Sequence, residues 1–231
     1  MTATRLPSCT MSNLKLVLFD LDGTLTDSYG FLTQIVESAF EHVGVALPPP
    51  EVLRQFYTMS FDAFFKQCDA YMSAEQIAAA SEYVRTRVRA KREPGTITEP
   101  FYKGMRDVLQ TLKDDGYLLG IVTNKGGQGL DSVLASNDAA GFFATLQHAD
   151  NSISKPSPDM ILNAIDATGV DPDNCIVVGD GPIDLLAANN ARVRFIGVAW
   201  AGRDTAALRE AGAADVLVDI AQLVPAIKAA L

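Results

Sequence analysis

The sequence predicts an α/β protein in which a parallel sheet, covered by helices on both faces, is interrupted after its first strand by an all-helical insert. Two observations carry that prediction. From residue 103 onward, helical and strand patterns alternate to the end of the chain, as they do in consecutive βα units. Residues 29–93, by contrast, contain almost no strand-like segment. At 231 residues the chain is long enough for one sizeable core and a smaller second unit.

The elements follow in order. Residues 14–19 have the length and apolarity of a buried parallel strand. Within 29–43, Leu32, Ile35, Val36, Ala39, Phe40 and Val43 recur at near-helical spacing until Gly44 and Pro48-Pro49-Pro50 stop the helix. Shorter helices are expected over 51–57 and 61–68, and a long one over 74–92 that ends at Glu93-Pro94-Gly95. The alternation then reads helix 103–115, strand 117–123, helix 128–137, strand 143–148 and helix 158–168. It continues with strand 175–179, helix 183–191, strand 194–199, helix 205–211, strand 215–218 and a final helix. The resulting division is a disordered leader at 1–12, a core from 13–27 and 97–231, and a helical unit at 28–96.

Composition narrows the classes of partner. Hydrophobic residues make up 48% and charged residues 20%, and no apolar run approaches the roughly eighteen residues that a membrane-spanning helix needs. A net charge of −9 argues against nucleic acid, whose phosphates require a basic footprint. A small anionic substrate then needs locally placed positive charge, which a bound metal and Lys155 can supply. Cys9, Cys68 and Cys175 are odd in number and widely spaced, as suits reduced thiols in the cytoplasm.

Three of the predicted strands end in residues with chemistry. The first runs into Asp20-Leu21-Asp22-Gly23-Thr24, so two carboxylates fall where ligands of open α/β sheets bind. Carboxylates crowded into one site repel unless a cation or a shared proton lies between them. Alone, Asp-x-Asp-Gly is more often a turn. The second strand ends in Thr123-Asn124-Lys125-Gly126-Gly127, a hydroxyl, an amide and glycines that suit a backbone anion nest. Lys155-Pro156-Ser157-Pro158-Asp159 follows, and a third strand runs into Gly179-Asp180-Gly181-Pro182-Ile183-Asp184. Four such segments in this order are far more specific than any one of them.

With these four segments the chain resembles the haloacid dehalogenase-like hydrolase superfamily, whose members carry four motifs in this order and mostly act on phosphate esters. It looks most like the branch with a helical cap inserted after the first motif, which includes phosphoglycolate phosphatases and β-phosphoglucomutases. The resemblance implies a Rossmann-like, doubly wound parallel-sheet core with an inserted all-helical cap domain. It implies Asp20 as the nucleophile that forms an aspartyl-phosphate, and Asp22 as general acid and then general base. Mg²⁺ is the implied cofactor, held by Asp20, the backbone carbonyl of Asp22, and Asp180. Thr123 and the Asn124 backbone N–H are implied to donate to the phosphoryl oxygens and Lys155 to neutralise charge, while Lys125, Gly126 and Gly127 read equally as an extension of the phosphate nest or as a flexible turn opening a helix.

For Asp184 two readings stand: a partner for Lys155 or metal-bound water, or a carboxylate that complements a helix N-terminus. An acid at Asp22 favours phosphoryl over carbon–halogen chemistry, because the dehalogenases lack one there. The chain also departs from the pattern. Many relatives place a hydroxyl or carboxyl residue after the fourth-motif aspartate, whereas Gly181-Pro182 stands here and removes one hydrogen bond from the metal's surroundings.

Specificity is expected in the helical insert, with Arg54, Tyr57 and Lys66 as candidates that are equally ordinary surface residues. Phe56, Phe61, Phe64 and Phe65 read as insert core, and His42 and His148 as structural. The implied function is Mg²⁺-dependent hydrolysis of a small phosphomonoester, phosphoglycolate-like or a sugar phosphate, by a cytoplasmic monomer or homodimer. The cap is expected to close by hinging near 24–28 and 94–100. A phosphosugar mutase and a non-catalytic binding protein of the same fold are the alternatives. A mutase is told apart by its failure to release orthophosphate.

Overall fold

The computed structural model describes residues 14–53, 61–68, 70–90 and 99–231. The chain divides into two compact units, one at 27–100 and one formed by the remainder. In the larger unit six strands, β1 Leu16–Phe19, β2 Leu118–Thr123, β3 Thr145–His148, β4 Cys175–Gly179, β5 Arg194–Val198 and β6 Val216–Leu217, form one sheet. Its order is β3-β2-β1-β4-β5-β6, and every pairing is parallel. The connections run outward from β1 on one side and from β4 on the other, so the order reverses between β1 and β4. Open sheets bind their ligands at such a switch point, outside the carboxyl ends of the strands.

The alternation along β1 explains why it lies at the centre. Val17 and Phe19 enter one apolar cluster, with Leu109, Ile121, Val178 and Trp200, while Leu16 and Leu18 enter a second, with Met160, Ile165 and Val177. A strand buried on both faces must be apolar at every position, and β1 is. Helices α5 Met105–Asp114, α6 Gly127–Ser136, α7 Asp159–Thr168, α8 Pro182–Ala191, α9 Ala206–Glu210 and α10 Leu223–Ala230 cover the sheet. Gly120 on β2 is tightly enclosed between its neighbours. A Cβ there would lie 2.6 Å from Thr145 Cγ2 and 2.7 Å from Leu18 Cδ2, both on neighbouring strands. We expect Gly120→Ala to cost about 1–3 kcal/mol through overpacking, read as a lower urea midpoint with unchanged slope.

The smaller unit is helical among its described residues: α1 Ser28–His42, α2 Pro50–Leu53, α3 Phe61–Gln67 and α4 Ala74–Ala90. Asp27 caps α1 by accepting from Gly30 N–H (2.7 Å). At its far end Gly44, at φ 69°, turns the chain so that Val45 N–H reaches back to Phe40 O (3.0 Å). A reciprocal capping box opens α4, with Ser73 N–H donating to Gln76 Oε1 (2.9 Å) and Gln76 N–H to Ser73 Oγ (3.3 Å). Phe40, Phe64 and Phe65 are fully buried and meet edge-on or tilted at 5.1–6.3 Å, with Phe61 packed against them. His42 stacks on Tyr83.

The boundaries fall at residues 26/27 and 100/101, not at the 27/28 and 96/97 read from the sequence. The backbone gives the reason. Thr26 bridges Phe101 inside the larger unit, while Asp27 N–H donates to Pro100 O (3.0 Å) inside the smaller one. The two chain crossings therefore lie side by side. The expected leader at 1–12, and Arg54, Phe56 and Tyr57, lie outside the described residues, as does most of the expected second hinge.

Candidate active site

The carboxyl ends of β1, β2 and β4 are neighbours, and the polar residues of the motifs assemble there. Asp20 N–H donates to Val178 O (2.9 Å), continuing the β1–β4 ladder one residue further and fixing where its side chain emerges. That carboxylate is 7% exposed. Lys155, 5% exposed, places its ammonium 2.6 Å from Asp20 Oδ1, 2.5 Å from Asp184 Oδ1 and 3.0 Å from Val122 O. An ammonium has three N–H donors, and all three are used. The backbone of Lys155 is itself clamped by the Asn124 side chain, whose Oδ1 accepts from Lys155 N–H (2.8 Å) and whose Nδ2 donates to Lys155 O (3.1 Å).

Asp184 realises both of its readings at once. It stands at the third position of α8, where Oδ2 accepts from Gly181 N–H (3.0 Å) and completes the helix start begun by Pro182. Its other oxygen holds Lys155. Gly179 makes this possible, since a Cβ there would lie 2.5 Å from Asp184 Cβ.

Asp180 is held by two donors. Thr24 Oγ1 donates to Oδ1 (3.1 Å) and Arg203 Nη1 to Oδ2 (2.5 Å). Asp20, Asp180 and Asp184 each bring an oxygen within 4.8 Å of the others. Burial pushes the Asp20 carboxyl well above the usual range; Lys155 opposes this, and the charges of Asp184 and Asp180 reinforce it. Burial likewise raises Asp180, against the pull of Arg203. For Lys155, burial works against the charged form, but Asp20 and Asp184 more than offset it and raise its pKa. Converging hard oxygen donors under mutual repulsion are the donor set that suits a divalent cation.

The second motif is arranged differently from the expected nest. Thr123, at the end of β2, is buried, and its Oγ1 accepts from Lys125 N–H (3.1 Å). Lys125 Nζ lies 3.0 Å from Asp22 Oδ2, so the lysine assigned to phosphate sits on the carboxylate assigned to proton transfer. At the start of α6, Gly127 N–H donates to Asp150 Oδ2 (2.7 Å), and a Cβ on Gly126 would meet that same oxygen at 3.2 Å. A carboxylate therefore occupies the Gly127 N–H at the start of this helix. His148 accepts from Asp150 N–H through Nδ1 (3.3 Å) and supports this cap.

Sequence reasoning passed over Thr24, Asp150 and Arg203. The signal for Arg203 was positional: it closes the turn after β5, at another strand carboxyl end. Lys66 is exposed on α3. Cys68 and Cys175 are buried thiols, and burial pushes the Cys175 thiol up to about 12, which leaves it inert.

The sequence pattern of the haloacid dehalogenase-like hydrolases matches residues 17–198, which spans all four motifs. The chain belongs to that family. The pyrophosphatase PpaX of Bacillus pumilus is 30% identical over 203 residues, covering 85% of this chain and 88% of its own. A phosphoglycolate phosphatase of Nitrosococcus oceani is 27% identical over 194 residues, covering 79% and 82%. Among solved structures, a HAD-superfamily hydrolase of subfamily IA from Geobacter sulfurreducens superposes with a TM-score of 0.68 at 22% identity, covering 95% of this chain and 99% of that one. These curated relatives are phosphatases, and this haloacid dehalogenase-like hydrolase shares the fold of the solved one. Among its described residues no helix is long and apolar enough to cross a membrane.

Proposed function

We propose that this chain is a cytoplasmic Mg²⁺-dependent phosphomonoester hydrolase that works through Asp20, with a small anionic metabolite as substrate. The observation that carries the proposal is the buried Asp20–Lys155–Asp184 chain beside Asp180 at the sheet's switch point. A buried nucleophilic carboxylate whose orientation is held by an ammonium is what attack on phosphorus requires. Asp20, Asp180 and the Asp22 carbonyl would hold Mg²⁺, which supplies neutralisation of the phosphoryl charge that otherwise repels a carboxylate nucleophile.

The residues divide the remaining work. Asp20 attacks phosphorus in line; the bond from phosphorus to the ester oxygen breaks as Asp22 gives that oxygen a proton. Thr123 and the Asn124 backbone N–H donate to the phosphoryl oxygens as their charge shifts, and Lys155 neutralises that charge from its place between Asp20 and Asp184. Asp22 then takes a proton from the water that opens the aspartyl-phosphate, and orthophosphate leaves. Asp184 keeps the Lys155 ammonium charged and in place throughout. The helical unit at 27–100 would act as the cap that excludes bulk water and sets specificity.

The phosphoglycolate phosphatase and pyrophosphatase relatives favour phosphoglycolate and pyrophosphate as first compounds, and sugar phosphates complete the panel. The test is orthophosphate release across that panel with Mg²⁺, beside an EDTA control. Release from small phosphomonoesters that EDTA abolishes is the expected result. Isomerised sugar phosphate without orthophosphate would replace the hydrolase with a mutase, and silence across the panel would favour a binding protein.

A further inference from the structure

The turn after β5 is strained, and it ends on a charge. Arg203 N–H donates to Trp200 O (3.2 Å), and the two residues between them are both left-handed, Ala201 at φ 55° and Gly202 at φ 74°. Glycine takes that conformation readily, whereas alanine meets a steric penalty there. Strain of this kind persists only where surrounding contacts enforce it. Here the enforcing contact is Trp200, fully buried, whose Nε1–H donates to Thr24 O (2.9 Å). The turn thus ties the loop after β1 to the loop after β5, and it delivers a guanidinium to Asp180.

The charges at the site show what that guanidinium does. Lys155 is shared between Asp20 and Asp184, which leaves Asp180 to Arg203. Thr24 holds one Asp180 oxygen and Arg203 the other. A divalent cation held by Asp20 and Asp180 would enter beside a fixed positive charge. The Arg203 side chain is 26% exposed against 7% for Asp180, so it has a route towards water that does not disturb the core.

We propose that Arg203 is a charge-compensating gate on the divalent-cation site: it occupies Asp180 in the metal-free protein, lowers the affinity for the incoming cation, and releases Asp180 as that cation binds. The proposal rests on the metal reading given under Proposed function. It makes cation binding an exchange of one positive partner for another, so occupancy follows the free cation concentration.

The experiment is calorimetric titration of Mn²⁺ and of Mg²⁺ into the substrate-free full chain, as wild type, Arg203→Met, Arg203→Gln and Asp180→Asn. Arg203→Met is expected to bind Mn²⁺ about tenfold more tightly than wild type or better, because a like charge has gone. Its melting midpoint should also rise more on adding Mn²⁺, because its metal-free form has lost a counter-ion. Arg203→Gln keeps a donor for Asp180 without the charge, so it too should bind more tightly; it also guards against a folding failure of the Met variant. Affinity in Arg203→Gln equal to or weaker than wild type would overturn the gate and leave Arg203 as an orienting residue for Asp180. Mn²⁺ binding that survives Asp180→Asn would instead overturn the metal reading, and the gate with it.

Discussion

Asp20→Asn is expected to lower kcat for phosphomonoester hydrolysis by about four orders of magnitude or more, measured as orthophosphate release at saturating substrate. The amide has nearly the volume of the carboxylate and keeps an oxygen for Lys155 to donate to, 2.6 Å away in the wild type. It cannot form the acyl-phosphate bond. Loss of chemistry is separable from loss of fold because the two move differently. Burial, with the nearby charges of Asp184 and Asp180, raises the Asp20 pKa in the folded protein above its unfolded value. The proton on such a group contributes stability that is fully present below the unfolded pKa and fades as pH rises through the folded one. At neutral pH the ionised Asp20 therefore works against folding in the metal-free protein. The metal-free Asn variant should melt no lower than wild type at pH 7–8, and its advantage should shrink towards pH 4. A melting midpoint that falls together with activity would point to misfolding instead.

Lys155→Met carries the second large effect, and it strikes stability and rate together. The ammonium is 5% exposed and serves Asp20, Asp184 and Val122 O. Methionine fills the stem's volume but leaves two buried carboxylates without a cation. Breaking a buried pair by removing one partner costs about 3–5 kcal/mol, so the urea midpoint should drop sharply. The rate should fall about 10²- to 10³-fold as well, the usual effect of deleting one preorganised electrostatic partner of a developing charge. Lys155→Arg is not expected to rescue either quantity. A planar guanidinium cannot aim three donors at acceptors arranged around a single nitrogen. A variant that keeps wild-type stability would show that Asp20 and Asp184 tolerate each other unpaired, and the electrostatic account of the site would fail.

The parts of this fold that could be read in the sequence are those fixed by local pattern. Strand β4 lies at the expected 175–179, β1, β2, β3 and β5 each fall inside the expected run, shortened by one or two residues at one end, and β6 loses one residue at each end. Apolar runs survive in the structure because both faces of the sheet are covered. At several trimmed ends single backbone bonds still continue the ladder, as where Ala144 N–H donates to Leu119 O (2.7 Å) and Ala199 N–H to Leu217 O (2.8 Å). The meeting of Asp20 and Asp180 was legible for a related reason: a parallel strand delivers whatever follows it to the same edge. Contacts between two loops were not legible. Lys125 reaching Asp22, Asp150 capping α6, and Arg203 reaching Asp180 each depend on how one turn lies against another. Asp184 was undecidable for the opposite reason. Its two readings were not rivals, since a carboxylate has two oxygens and each serves one of them.

The side-by-side crossings at Asp27–Pro100 and Thr26–Phe101 bear on how such a chain can be remodelled. Strand β1 must find β2 and β4 from far away in the sequence, and the cost of closing a long loop grows with its length. An insert that leaves and returns through adjacent residues hides its length from that closure once it has folded. The larger unit then experiences only a narrow gap, whatever fills it. Exchange of 27–100 for another helical segment is expected to leave unchanged the register that lines up Asp20, Thr123 and Asp180.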